Sequence, residues 1–449
     1  MQSTESPAQA LALPADHPLR EELHNEVHAR PSARIRVPAL VIHVAVSNKG
    51  VDRADEWAHL RRLPGHDDLP QAALDRNFLR LPLDGQLLRW ERHSEFTRYT
   101  LFQPLPAEAG LDRREPDLLG TMLIDREWLR GIPGRTIAAI QQVFVSQTLE
   151  DPDACLARAQ QWFGEHPVVA SLLGNGHSLA VTDFQLDDSG FERMLVIAPP
   201  GTSETRAGRI SQRLLELETY RLLALRGLPV AKALGPMITE SETALATITG
   251  QFAAKQASYQ DLLDQLVALA STIESATADH AYRFSATQAY AALVDERIAE
   301  MREKAIPGTQ RIGEFMRRRL RPAIATVAAT AQRLSSLAQR VERSSGLLRT
   351  RVDIATEVQN QQLLQKITRG QQMQLRLQTT VEGLSIAAIS YYVVSLLYYV
   401  SKSAKAIGVP INPEIAAGAL IPLVLWATWR TTRRIHARLH SLDGDHAGH

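Results

Sequence analysis

Residues 383–400, GLSIAAISYYVVSLLYYV, form a long uncharged run bounded by Glu382 on one side and by Lys402 and Lys405 on the other. Extended to 379–401, the run reaches the roughly 20 residues that cross about 30 Å of hydrocarbon as a helix. A second uncharged run, 415–429, is shorter and attains spanning length only when 407–414 is added, with Glu414 at the interface. Tyr398 and Tyr399 in the first run, and Trp426 and Trp429 in the second, are the residue types that settle at membrane–water boundaries. Asn412-Pro413 is a turn and helix-start signal, so about ten residues connect the two runs as a tight hairpin.

Upstream, the apolar positions Ile324, Val327, Ala331, Leu334, Ala338, Val341, Ser345, Leu348, Val352 and Ala355 step alternately by four and three. That is a heptad seam, which predicts a long coiled-coil helix running into the first span as a rod of about 120 Å. Between Gln359 and Gln378 the seam turns to glutamine. The helices there either splay with a solvated face or enclose a hydrated vestibule. Arg317, Arg318, Arg319 and Arg321 form a basic knot before Pro322, read as a solvated face, as salt bridges to the rest of the protein, or as an anion site.

The N-terminal part alternates strand-like and helix-like stretches. Residues 38–46, 136–145, 178–187 and 191–198 read as strands, and 87–93 with 96–102 as a β-hairpin around Ser94-Glu95. Residues 51–63 and 153–163 have helical spacing. Helical patterning takes over at Ser203, with breaks expected at Gly227-Leu228-Pro229, Gly235-Pro236 and Pro307-Gly308. The expected class is an α+β membrane protein. Its parts are an N-terminal segment (1–34), an α/β layered domain (35–200), a helical region (201–308), a stalk (309–380), a first span (381–402), a periplasmic loop (403–413), a second span (414–430) and a basic tail (431–449).

Composition narrows the function classes. The 449 residues carry 50 Lys plus Arg against 49 Asp plus Glu, so no net basic field marks a nucleic-acid binder. The single cysteine, Cys155, excludes an internal disulfide framework and a Cys-based zinc cluster. Residues 1–16 have neither a basic nor an apolar signal-peptide region. Arg430, Arg433, Arg434 and Arg438 follow the second run against two lysines in the loop, which places both termini in the cytoplasm of a bacterial inner membrane.

Nucleotide-binding and hydrolase motifs are absent, so no enzyme and no cofactor are expected. The densest polar cluster is HPLREELHNEVHARP at 17–31, where His24 and His28 share a helix face with Glu21 and are weak candidates for a metal site. A capped helix packed on the domain is the plainer reading. His93 and Glu95 at the hairpin are read as solvated charges or as catalytic groups. In the first span, Glu382, Ser385, Tyr392, Ser395 and Tyr399 fall in one broad stripe that faces a pore or a neighbouring helix, and Ser390 is a further polar position.

NEVHARP at 25–31, RWERHSEFTRYTLF at 89–102 and VEGLSIAAISYYVVSLLYYVSK at 381–402 resemble a bacterial family of membrane-anchored proteins known as domain of unknown function 3422. The resemblance spans nearly the whole chain, singles out Asn25, Glu26, His28 and Arg30 as family-motif residues, and implies no activity. The architecture also resembles the CorA-type magnesium channel plan of cytoplasmic α/β domain, long stalk helix and two spans. Where those channels carry Gly-Met-Asn, this chain has Tyr398-Tyr399-Val400-Ser401-Lys402, and a lysine at a cation entrance is unfavourable. Two functions lead, with an enzyme whose unrecognised site gathers His24, His28, His93 and Glu95 as a third. One is a homo-oligomeric conduit, or a degenerate relative of one, for an unidentified ion. The other is a membrane-tethered scaffold or sensor whose soluble domain binds a partner.

Overall fold

Residues 39–47 are nearly all apolar because their strand is covered on both faces, which erases the usual alternation of inward and outward side chains. Leu40, Ile42, Val44 and Val46 enter one core, while Ala39, Val41 and Ala45 enter another on the opposite face. The structure, a computed structural model, describes residues 17–20, 23, 32–107, 109–111, 118–406, 410 and 412–443, with backbone alone for 433 and 435–443.

The strands are β1 (Ala39–Ser47), β2 (Phe78–Leu83), β3 (Gln86–Arg92), β4 (Phe96–Pro104), β5 (Arg135–Ser146), β6 (Val169–Leu173), β7 (Ser178–Leu186) and β8 (Glu192–Ala198). They form one eight-stranded sheet in the order β2-β3-β4-β1-β5-β8-β7-β6. All pairs are antiparallel except β5 with β8. The helices are α1 (Arg53–Leu60), α2 (Leu118–Thr121), α3 (Arg126–Arg130), α4 (Pro152–Gln160), α5 (Glu204–Leu225), α6 (Gly227–Ala254), α7 (Tyr259–Met301), α8 (Ile312–Ala406) and α9 (Pro413–Asp443). The sheet carries the short helices on one face, with Leu60, Trp128, Leu156 and Trp162 in that core. On the other face lie α5, α7 and the start of α8, contributing Leu214, Leu217, Val294, Ile298, Ile312 and Met316.

The expected strands and the hairpin are present with ends shifted by a residue or two. Two strands were not expected. Pro82 inside β2 argues against a central strand, and β2 is an edge strand, where a missing N–H is tolerated. The five-residue β6 is too short to show a period. The break expected at Gly235-Pro236 does not occur: α6 continues through Pro236, because Ala231, Leu234 and Ile238 bury the same face on either side of it. At Gly227 the interruption is the single residue Arg226, and a Cβ at Gly227 would lie 2.3 Å from Thr287 Oγ1 on α7. Small size there lets helices approach.

The chain divides into two compact units, Met1–Ala257 with Asp264–Ser345, and Ser258–Leu263 with Gly346–His449. Within the first, the head, the heptad seam is used inside the chain. Val327, Leu334 and Val341 are buried, and α8 meets α6 through Arg333–Glu242 at 2.8 Å and α7 through Arg317–Asp295 at 3.2 Å. The seam therefore packs a helical layer of one molecule, where the sequence suggested a coiled coil between helices of the stalk. Arg317 fulfils the salt-bridge reading of the basic knot.

In the second unit, residues 356–381 are exposed on every side of the helix in the single chain. Among the described residues, two helical stretches are long and apolar enough to cross a membrane by length and composition, Ile312–Ala406 and Glu204–Ala254. The first contains the expected first span, and only 6% of its apolar window is buried. The second was not anticipated; α5 within it packs against the sheet, as a core helix of this composition does. The expected second span at 414–430 lies in α9, which is not among the two. Its uncharged stretch is only fifteen residues long, between Glu414 and Arg430.

Candidate functional site

The buried face of α5 carries polar residues among its apolar ones: Ser211, Glu216, Glu218 and Thr219 lie within it beside Leu214, Leu215 and Leu217. Buried charges persist only when paired, and the sheet supplies the partners. In the register of β1, β4 and β3, His43 faces Thr100, which faces Arg89, and Ala45 faces Arg98, which faces Glu91. These two rows point at α5. Trp90, Tyr99 and Leu101 point into the opposite core.

Arg98 forks onto Glu91 at 2.5 and 2.9 Å, and Arg89 reaches the same carboxylate at 3.0 Å. Arg98 also contacts Glu216 of α5 at 3.3 Å, and Glu216 accepts from Arg297 of α7 at 2.8 Å. Arg297 continues to Glu300 at 2.7 Å, and Glu300 pairs with Arg213 at 3.3 Å. Four arginines thus alternate with three glutamates from the sheet interior to the surface. Burial opposes charge on Glu91, yet the guanidinium groups of Arg98 and Arg89 outweigh it and hold its carboxyl down at about 2. Burial, with Arg98 and Arg89 adding to it, pushes His43 down to about 3, so the ring is neutral between Thr100 Oγ1 at 2.9 Å and Thr219 Oγ1 at 3.2 Å.

A second buried cluster joins Glu192 of β8 to Glu218 of α5. Burial, followed by the charge of Glu218, raises the Glu192 carboxyl well above the usual range, and Arg221 forks onto Glu218.

The ion chain surfaces in a cavity of about 360 Å³ between α5, the β6–β7 turn and the end of α7. Arg206, Arg209, Arg213 and Arg302 line it, with Glu300 as the one carboxylate. The β6–β7 turn is Gly174-Asn175-Gly176, all at positive φ. The positive φ favours glycine at 174 and 176, and the turn lies beside Arg206 and Lys304: a Cβ at Gly174 would stand 3.4 Å from Arg206 Nη2, and one at Gly176 3.9 Å from Lys304 Nζ. His177 beside it is lowered by burial and then by Arg206.

Residues 302–311 form a strap from α7 to α8. It runs along β6, with Leu172 and Lys304 bridged and the Gly174 and Asn175 amides donating to the Met301 and Arg302 carbonyls. Its Glu303 accepts the Gly313 amide at 3.0 Å and the Ser171 hydroxyl at 3.0 Å, while Ser171 Oγ accepts the Ile312 amide at 2.9 Å. The strap is thus at once a wall of the basic cavity and the cap of the long helix.

A larger cavity, about 530 Å³, holds His93 with Asn48, Arg92, Tyr220 and Tyr290. Here the charges are satisfied internally: Arg92 pairs with Glu56 at 2.6 Å, and Arg53 pairs with Asp75 at 3.4 Å. Glu95 is not a solvated hairpin charge. It is buried and held by Arg283 at 2.6 and 3.2 Å, while His93 stacks on Phe96.

His24, Asn25, Glu26, His28 and Arg30 lie outside the described residues. Among the described residues no group of three or more His, Cys, Asp or Glu is placed to hold a metal ion. In the apolar part of α8, Ser390 is buried and Ile386, Val394 and Leu397 are partly covered within the chain, and α9 is covered at Pro413, Ala417, Leu420 and Val424. Ser385, Tyr392 and Tyr399 are exposed, and Glu382 and Ser395 partly so. The polar stripe therefore points away from the covered face.

Sequence reasoning missed the arginines of the cavity, which are spread over α5 and the strap. Their one local signal is Arg206, Arg209 and Arg213 at i, i+3 and i+7, a single helix face. The ion chain had a clearer signal: with a turn at 93–95, Glu91 falls opposite Arg98. No curated protein and no solved structure matches the chain. The family model described as "Protein of unknown function (DUF3422)" matches residues 15–439, nearly the entire chain, and the protein belongs to that family.

Proposed function

We propose that the protein is a membrane-tethered sensor or scaffold, in which the head receives an anionic ligand or partner at the basic cavity and the long helix carries the response toward its apolar segment. One observation carries this reading: the strap contributes Arg302 to the cavity and, one residue later, Glu303 to the cap of α8. A ligand that moves Arg302 acts on the first turn of the helix. The apolar window of Ile312–Ala406, almost uncovered in the chain, supports a bilayer as the solvent of its C-terminal part.

A conduit is the second reading, favoured by the outward polar stripe. Polar side chains at the lipid-facing side of a span commonly mark a helix interface or a water-filled path. The two readings separate in liposomes holding the purified chain. A sensor co-floats with the vesicles and passes neither magnesium nor chloride. Ion flux that Glu382→Gln alters would replace the sensor with a conduit.

A further inference from the structure

The basic cavity has the chemistry of a phosphate site, and we infer that it binds a multiply charged, phosphate-bearing anion. The inference rests on the reading of the head as a ligand-receiving unit and names its ligand class. Arg206, Arg209 and Arg302 line the cavity, and no ion pair holds them among the described residues, while Lys304 lies against the adjoining glycine turn. The single carboxylate, Glu300, is already engaged by Arg297 and Arg213. Several cations thus converge on one small space with little to neutralise them. A monoanion would leave most of that charge uncompensated.

The donors are side chains. Both the Gly174 and Asn175 amides are spent on carbonyls of the strap, so the turn offers no backbone cradle. Guanidinium groups present forked N–H donors that match two oxygens of a tetrahedral phosphate, whereas the ammonium of Lys304 acts as a point charge. Glycines at 174 and 176 meet the positive φ of the turn and leave it without side chains beside Arg206 and Lys304. Leu173, Ile210 and Met301 give the floor an apolar base, and about 360 Å³ is at the small end of ligand pockets, roughly 300–1,000 Å³. Phosphate of this kind comes from a soluble polyphosphate or ester, or from a lipid headgroup.

Calorimetry on the detergent-solubilised full chain tests the assignment, with inorganic pyrophosphate as one probe, dihexanoyl phosphatidylglycerol below micelle formation as the other, and acetate as the control. Saturable binding of pyrophosphate or of the phospholipid, at least tenfold tighter than acetate, is expected, and the tighter of the two identifies the source. Arg206→Ala with Arg209→Ala should weaken binding tenfold or more. Arg206→Lys with Arg209→Lys should recover part of it, because charge returns without the fork. Should the alanine pair fail to fold, Arg302→Gln with Lys304→Gln, both outside the helices, must give the same loss. Absence of binding to both probes, or equal binding by the folded variants, overturns the phosphate assignment and leaves the sensor reading standing. Ion flux through the liposomes would overturn the sensor reading whatever pyrophosphate does.

Discussion

Glu303 accepts the backbone N–H of Gly313 with both carboxylate oxygens, at 3.0 and 3.1 Å, so a residue of the strap closes the first turn of the 95-residue helix. A side-chain acceptor at a helix start contributes about 0.5–2 kcal/mol. Glu303→Ala should lower the unfolding free energy of the head by about that amount and speed amide exchange at 312–316 first. Gly313→Ala should do at least as much harm, since its Cβ would lie 2.5 Å from both Glu303 Oε2 and Ile298 Cγ2. Unchanged exchange at the start of α8 in both variants would disprove the capping role.

The buried ion chain should behave as a unit. Glu91→Ala leaves Arg98 and Arg89 without their shared carboxylate and is expected to cost about 3–5 kcal/mol. Arg98→Met combined with Glu91→Leu removes that pair, though Arg89 still loses its carboxylate, and should cost clearly less than Arg98→Met and Glu91→Leu added together. Chemical denaturation of the four proteins gives the coupling.

Acid should find His43 early. Its folded-state value, about 3, lies below the ordinary 6.5, so the unfolded chain takes up the proton first. Stability is full above about pH 6.5 and falls as pH drops from there toward 3, by up to about 1.4 kcal/mol per pH unit. His43→Gln, which retains groups for Thr100 and Thr219, should flatten the stability curve between pH 6.5 and 4.5. Below that, the depressed Glu91 continues the loss as it is protonated toward about 2. A curve as steep as that of the native protein would refute the assignment.

Glu192 should give the opposite sign. Its folded value is raised, so its protonated form contributes stability that is complete below the ordinary carboxylate range and lost as pH rises through the raised value. Glu192→Gln imitates the protonated state. It should be no less stable than the native protein near neutrality and more stable at higher pH, where native Glu192 is forced to ionise beside Glu218.

The seam offers a test of which surfaces it joins. Leu334 is 3% exposed within one chain, so Leu334→Ala should cost about 2–5 kcal/mol. The loss should be the same at low and high protein concentration. Dependence of the midpoint on concentration would return the seam to an interface between copies.

These elements also show what a sequence displays. The strand β1 and the hairpin of β3 and β4 were legible because apolar runs and a turn are local patterns. The direction of the heptad seam was legible, but its partner was not: period alone cannot say whether Val327 meets Gly227 of its own chain or a second molecule. Arg206 and Arg302 are 96 positions apart in the chain, and only the pairing of the strap with β6 brings them to one cavity. Pro82 and Pro236 misled for the same reason. A proline removes one donor and says nothing about whether an edge or a buried face makes the loss tolerable.

The chain order has a consequence for biosynthesis. All eight strands, the helices α5 to α7 and the strap precede the apolar part of α8. A ribosome therefore releases every strand of the sheet before it has made the segment that suits a bilayer. Since domains fold as they emerge, the head can close before the apolar part of α8 is made, and on the tethered reading proposed above a bilayer would receive a chain whose basic cavity is already formed.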